Sequence, residues 1–235
     1  DGQDMDMLII GEPAADKKRC WFIARQHPGE SMAEWWMEGF LNALLDADNA
    51  LARALLDAVV FYVVPNMNPD GSRRGHLRTN AVGKNLNREW RDASMEHSPE
   101  VFLVREKMAA SGVDFALDVH GDEALPYNFI AGAEGIADWD EQMAARQQHF
   151  LDAYEQANPD FQQQHGYAID APGSADLRKA TDYIAQTHGC LSMTLEMPFK
   201  DNANLPDAET GWSPERCRQL GASVLYPLRR VLDEL

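Results

Sequence analysis

His27 and Glu30 stand three residues apart in His27-Pro28-Gly29-Glu30, directly after the apolar run Cys20-Trp21-Phe22-Ile23-Ala24 and directly before a helical pattern, Ser31 to Leu45. At the end of a strand, such a pair can turn toward one point. Neutral imidazole and carboxylate are both ligand types that zinc takes in catalytic sites. A lone His-x-x-Glu is weak, because a surface histidine beside a surface glutamate gives the same pattern. Two further strand ends add weight. The run Val113 to Val119 delivers His120, followed by Gly121-Asp122-Glu123, and Leu191 to Leu195 delivers Glu196, followed by Met197-Pro198. Three strand ends, each with a ligand or a base, fit an α/β hydrolase built around one metal.

The elements that must position these residues follow from the pattern of apolar residues. Met5 to Ile10 reads as a short strand, Cys20 to Ala24 as a strand buried on both faces, and Ala58 to Val64 as the next, ended by Pro65. Ser31, with Glu34 three residues on, predicts a capping box for a helix whose Trp35, Trp36, Phe40, Leu41 and Leu44 are core residues. Helices are expected over Ala50–Leu56, Ser98–Ala110, Asp138–Ala157 and Pro214–Leu232, and strands over Val113–Val119, Tyr127–Ala131 and Leu191–Leu195. Asn66 to Arg91 reads as a long irregular segment rich in Gly, Asn and Arg, of the kind that usually carries function. His165 to Lys179 reads as a loop. Strands alternating with helices indicate α/β layers.

Composition narrows the class. A length of 235 residues suits one large domain or two small ones. A net charge of −17 argues against general nucleic-acid binding, which needs a surface that neutralises phosphates. No run of apolar residues is long enough for a membrane span. The three cysteines, Cys20, Cys190 and Cys217, form no Cys-x-x-Cys and argue for a reducing, cytoplasmic setting over a disulfide framework. Against the acidic background, Arg73, Arg74, Arg78, Lys84, Arg88 and Arg91 form a basic cluster able to receive an anionic group; a solvated loop is the bland reading of the same residues.

Taken in order, Arg25-Gln26-His27-Pro28-Gly29-Glu30, Pro65-Asn66-Met67-Asn68-Pro69-Asp70-Gly71, Asn85-Leu86-Asn87-Arg88, Asp118-Val119-His120-Gly121 and Thr194-Leu195-Glu196 resemble the zinc metallocarboxypeptidases, specifically their cytosolic carboxypeptidase branch. The resemblance covers roughly residues 5 to 230. It implies a mixed twisted sheet flanked by helices on both faces, a phosphorylase/hydrolase-like α/β/α arrangement with the metal at the strand ends. It also implies one zinc per chain, held by His27, Glu30 and His120, with Glu196 as the general base. Arg78, nine residues before Asn87, matches the arginine that polarises the scissile carbonyl. Asn87 and Arg88 match the pair that binds the terminal carboxylate, and Tyr167, ahead of Tyr183, is the candidate for the mobile tyrosine. Asn85 departs from the pattern, which commonly has Asp there, and predicts weaker support for the first metal histidine. The side-chain specificity position falls near Thr181, where Arg178 and Lys179 suit an acidic C-terminal residue or are solvated loop charges.

The expectation is therefore one catalytic domain over 1–235, a zinc-dependent hydrolase acting on the C-terminal bond of peptides or proteins. Relatives in this branch carry a β-rich domain before the catalytic one, and nothing in this sequence is expected to form it, so the chain reads as part of a longer protein. Two alternatives stay open: a zinc-dependent deacylase of acyl-amino acids, and a non-catalytic peptide-binding module of the same fold. The Asn87-Arg88 segment favours the peptidase, and intact Glu196 with all three ligands argues against the module.

Overall fold

Short, mostly apolar runs form the centre of the molecule. The computed structural model describes residues 2–235. Six strands, β1 (Leu8–Ile10), β2 (Lys18–Ala24), β3 (Val59–Val64), β4 (Phe115–Val119), β5 (Phe129–Ala131) and β6 (Leu191–Glu196), make one sheet in the order β1-β3-β2-β4-β6-β5. The inner four run parallel, and β1 and β5 close the edges antiparallel. The expected mixed sheet with helices on both faces is what the chain forms. Parallel strands are covered on both faces, which is why β3 and β4 are buried at every position.

Alternation along the strands sorts the core into two layers. Cys20, Phe22, Phe61, Leu117 and Met193 face α1 (Met32–Leu45), α2 (Ala50–Ala58), α5 (Glu141–Ala157), α7 (Pro214–Ser223) and α8 (Leu225–Val231). Trp21, Ile23, Val60, Tyr62 and Ala116 face α4 (Pro99–Ser111) and α6 (Ala180–His188). Phe22 anchors the first layer, with ring centroids 4.4 Å from Phe40 and 5.6 Å from Phe115. There α1 and α7 cross backbone to backbone: a Cβ on Gly221 would lie 2.0 Å from the Trp36 carbonyl oxygen.

Several elements differ from expectation. Ser31 is already helical in φ and ψ and makes no side-chain cap; Glu34 pairs with Arg25 instead of closing a capping box. The C-terminal helix breaks at Val224, because Pro227 has no N–H for the Ser223 carbonyl, and α8 begins anew. Inside the long Asn66–Arg91 segment lies a short helix, α3 (Pro69–Arg74), capped by the Asn68 side chain on Gly71 N–H at 3.1 Å, and a 3-10 turn over Leu86–Arg88. Helix α6 was not expected at all, and β1 is shorter than the run Met5 to Ile10. Trp35 is half exposed beneath the Arg218 guanidinium rather than in the core. No helix among the described residues is long and apolar enough to cross a membrane.

An exposed helical Gly→Ala change raises stability by about 1 kcal/mol. Gly221→Ala should reverse that sign, lowering stability by about 1–3 kcal/mol through overpacking at the α1–α7 crossing. Urea unfolding of the two chains checks it, and a gain in stability would show that the helices separate at no cost.

Candidate metal centre and active site

The strand ends are where the chemistry collects. Chain direction changes abruptly after β2: Arg25 has φ 58°, the one non-glycine residue with positive φ among those described. Such a backbone costs of order 1–3 kcal/mol and persists only when its surroundings hold it. Here Arg25 Nε donates to Pro28 O at 2.9 Å, and its guanidinium pairs with Glu34. The turn carries Gln26 into the interior and brings His27 and Glu30 beside His120, which leaves the end of β4.

His27, Glu30 and His120 form the one group of three candidate metal ligands among the described residues, and all three are buried. The Nδ1 atoms of the two imidazoles lie 3.2 Å apart; Glu30 Oε1 is 2.6 Å from His27 Nδ1 and Glu30 Oε2 is 2.8 Å from His120 Nδ1. Each Nε2 is turned to an acceptor, His27 to Asn85 Oδ1 at 2.9 Å and His120 to Asp118 Oδ2 at 2.8 Å. That fixes the proton on Nε2 and leaves both Nδ1 atoms pointing at Glu30, the donor set a metal site requires. Burial opposes ionisation of Glu30, yet His120 and His27 hold its carboxyl at about 2. Burial likewise disfavours a charged His120, but Asp118 and Glu30 push it well above the ordinary imidazole value. Gly121 admits close packing: a Cβ there would lie 2.4 Å from Met32 Sδ.

Glu196 ends β6 on the same cavity, nearly buried. Burial, reinforced by Glu30 and Asp122 and opposed by His120, raises its carboxyl to about 8. The Tyr167 hydroxyl donates to Asp122 and lies 3.1 Å from Glu196 Oε1, while its ring stands edge-on to Phe129. Tyr183 lies elsewhere, under the Arg105 guanidinium and against Trp90.

Asn85 ties the candidate metal ligands to the neighbouring loop. Its Oδ1 also accepts the Asn87 N–H at 3.0 Å, capping the turn that carries Asn87 and Arg88. Arg78, Asn87 and Arg88 all line the cavity, whose volume is about 500 Å³. Burial, and then the charge of Arg78, lowers the pKa of Arg88. Among the described residues Arg78 has no hydrogen-bond or ion-pair partner. The rest of the basic cluster disperses: Lys84 meets Glu89, Arg91 meets Asp92, and Arg73 reaches Gln3. Arg178 does not line the cavity; it is half exposed, and Asp176 takes both its Nε and Nη2 at 2.8 Å. Lys179 and Thr181 do line it, together with the buried Asp182, which lies 3.7 Å from Lys179 Nζ.

Three polar residues were missed as parts of the site. Asp118, Gln26 and Asp182 are each buried and face it or its ligands. For Asp118 a signal existed: it is a lone acid within an otherwise apolar strand. Asp182 lay in the helix that periodicity did not reveal.

A covered mixed sheet that delivers two histidines and a glutamate to one point at its strand ends defines a metallohydrolase type of site. The chain belongs to the zinc carboxypeptidase family, whose model matches residues 1–216. It is similar to a metallo-carboxypeptidase from Burkholderia cenocepacia, at 51% identity and TM-score 0.96, covering 100% of this chain and 63% of that one. A metallo-carboxypeptidase from Pseudomonas aeruginosa, solved in complex with (2-guanidinoethylmercapto)succinic acid, is 44% identical, with TM-score 0.96 over 99% of this chain and 62% of that one. Cytosolic carboxypeptidase 3 of Mus musculus is 37% identical over 137 residues, 55% of this chain and 14% of that protein. The chain spans about three fifths of the length of the relatives that match it from end to end.

In the metal-free chain, Glu196 keeps its proton up to about pH 8 when folded but releases it near 4.5 when unfolded. Between those values the unfolded state binds fewer protons, so stability falls as pH rises through the window. Glutamine cannot ionise. Glu196→Gln should therefore match the unsubstituted chain in Tm at pH 4.5 and exceed it by a widening margin toward pH 8. Thermal unfolding after chelation measures this, and a margin independent of pH would show that folding does not hold the proton on Glu196.

Proposed function

We propose that this chain is the catalytic part of a zinc-dependent metallocarboxypeptidase that hydrolyses the C-terminal peptide bond of peptides or proteins. One observation carries the reading: a His27-Glu30-His120 cluster and Glu196 share a cavity with two arginines, so a terminal carboxylate and its adjoining peptide bond can be held together. His27, Glu30 and His120 hold the metal. When bound, zinc supplies Lewis-acid polarisation and lowers the pKa of a water. Arg88 takes the substrate's terminal carboxylate in a planar two-bond pairing. Asn87, whose Oδ1 is spent on the Ala180 N–H at 2.8 Å, presents its amide NH2 to the same carboxylate. Arg78 faces the scissile carbonyl and stabilises the negative charge that develops on its oxygen. Glu196 accepts a proton from the attacking water and passes it to the departing amine. Tyr167 closes over the substrate, giving up its contact with Glu196. A cytoplasmic setting accords with three free, buried cysteines.

A deacylase of acyl-amino acids would also use this centre, and its substrates carry a carboxylate beside the scissile bond too; Arg78 and Arg88 on the cavity favour either substrate over an internal peptide bond. Peptides differing only in a free or amidated C-terminus test this with the zinc-loaded chain. Amidation should reduce kcat/KM by about a hundredfold or more, since Arg88 loses a charged, partly desolvated partner. Arg88→Ala should remove most of that difference. Equal cleavage of both peptides would refute the carboxypeptidase reading.

The preference for an acidic C-terminal side chain rests on Lys179, which lies 3.7 Å from both Asp170 and Asp182; Arg178 is held by Asp176 and lies off the cavity. Asp182 favours a second reading, a basic side chain, and the ligand of the Pseudomonas aeruginosa relative carries a guanidino group. The two separate in kcat/KM for C-terminal Glu against C-terminal Lys peptides. On the first reading Glu is favoured by about tenfold and Lys179→Ala narrows the gap. A Lys preference abolished by Asp182→Asn would establish the second.

A further inference from the structure

Gln26 is fully buried beside the metal ligand His27, and on the edge of the His120 ring turned away from Glu30 its amide nitrogen lies 3.4 Å from Nε2. Its Oε1 accepts the indole Nε1–H of Trp90 at 2.9 Å, and its Nε2 donates to Asp118 Oδ2 at 2.6 Å. The same Asp118 oxygen accepts the His120 Nε2–H at 2.8 Å. The Asn68 side chain holds the Gln26 backbone, donating to its carbonyl at 2.9 Å. Direction along this chain of bonds is dictated by chemistry. An indole nitrogen can only donate, so the amide oxygen of Gln26 must face Trp90, and its NH2 must face Asp118. Were the amide reversed, its oxygen would oppose a buried carboxylate. The other Asp118 oxygen, Oδ1, is buried with no partner among the described residues, so Gln26 and His120 alone decide where this carboxylate sits.

We propose that Trp90 and Gln26 are positioning residues for the metal centre: through Asp118 they fix the ring of His120 and raise the affinity of the site for its metal. This rests on the reading of His27, Glu30 and His120 as a metal site. Trp90 sits two residues beyond Arg88, where its backbone is pinned by Arg178 O at 3.1 Å and by Arg105 Nη1 at 2.7 Å. The loop that carries the carboxylate-binding residues therefore reaches His120 by this route, as it reaches His27 through Asn85.

Zinc affinity, measured by competition with a chromophoric chelator, tests the inference on the unsubstituted chain, Gln26→Leu, Trp90→Phe and the double variant, each with the Tm of its metal-free form. Gln26→Leu should bind zinc about tenfold more weakly, the scale seen when an outer partner of a metal ligand is removed. Trp90→Phe, which keeps the ring and loses only the N–H, should weaken binding several-fold. The double variant should bind no more weakly than Gln26→Leu alone, because Trp90 acts through Gln26. A merely structural role would lower Tm and leave the zinc affinity of the folded chain unchanged. Affinities within roughly twofold of the unsubstituted chain, or losses that multiply in the double variant, would overturn the inference. If Gln26→Leu does not fold, Trp90→Phe decides by the same measure. Failure of the unsubstituted chain to bind zinc would overturn the metal reading and this inference together, whereas tight binding that Gln26→Leu and Trp90→Phe leave untouched overturns this inference alone.

Discussion

Buried negative charge is what the centre of this molecule is arranged around. Glu30, Asp118 and Glu196 are each less than one-tenth exposed and gather at neighbouring strand ends. A carboxylate removed from water is costly unless paired and hydrogen-bonded, and each of the three meets that demand differently. Glu30 accepts the Gly121 N–H at 3.1 Å, and its two oxygens lie 2.6 and 2.8 Å from the Nδ1 atoms of His27 and His120. Asp118 accepts from Gln26 and His120. Glu196 has the Tyr167 hydroxyl and no cationic partner within bonding distance among the described residues, and it resolves the conflict by holding a proton. A divalent cation bound by His27, Glu30 and His120 would offset all three at once, and a bound ion's own charge inverts the local acid–base order. Glu196 would then ionise more readily, which is what a general base requires.

The scaffold meets this demand with parallel strands and short tethers. β2, β4 and β6 lie side by side, so their carboxyl ends deliver His27 with Glu30, His120 and Glu196 to one edge. Two hydrogen-bonded routes then join the irregular loop to the cluster, one from Asn85 to His27 and one from Trp90 through Gln26 and Asp118. The proposed binding groups and the candidate metal ligands thus share supports and hold their spacing as a unit, which is how remote residues contribute to orientation in catalysis. The strained Arg25 belongs to the same design. Its backbone is held from two sides, and a strand continuing straight through that position would carry His27 past the site.

Much of this was legible in the sequence because long apolar runs and their terminal polar residues are strong signals. The inner strands appear within a few residues of their expected bounds, and His27, Glu30, His120 and Glu196 converge as their strand ends suggest. What was hidden depended on tertiary context. Ser31 and Glu34 have the residue types of a capping box, yet Arg25 claims Glu34, a competitor invisible to local spacing. Helix α6 is short and its hydrophobic face is built from Ala180, Ile184 and Ala185, too small a set to declare a period. Arg178 looked like a pocket residue by position, but Asp176, two residues earlier, takes both ends of its fork. Gln26 carries no role legible in the sequence, because nothing local says that an amide will face an indole from a segment 64 residues away.

The order of strands in the sheet has a consequence for how the chain is made. β5 precedes β6 in sequence but lies outside it, pairing with β6 alone. A chain emerging from the ribosome therefore holds β5 without a partner until Leu191–Glu196 arrives and inserts between β4 and β5. All three candidate metal ligands are synthesised by residue 120, but His120 is itself held by β6, its N–H donating to Leu195 O at 2.8 Å. The segment that completes the sheet therefore fixes His120 and brings Glu196 in the same step, so sheet and site are finished together.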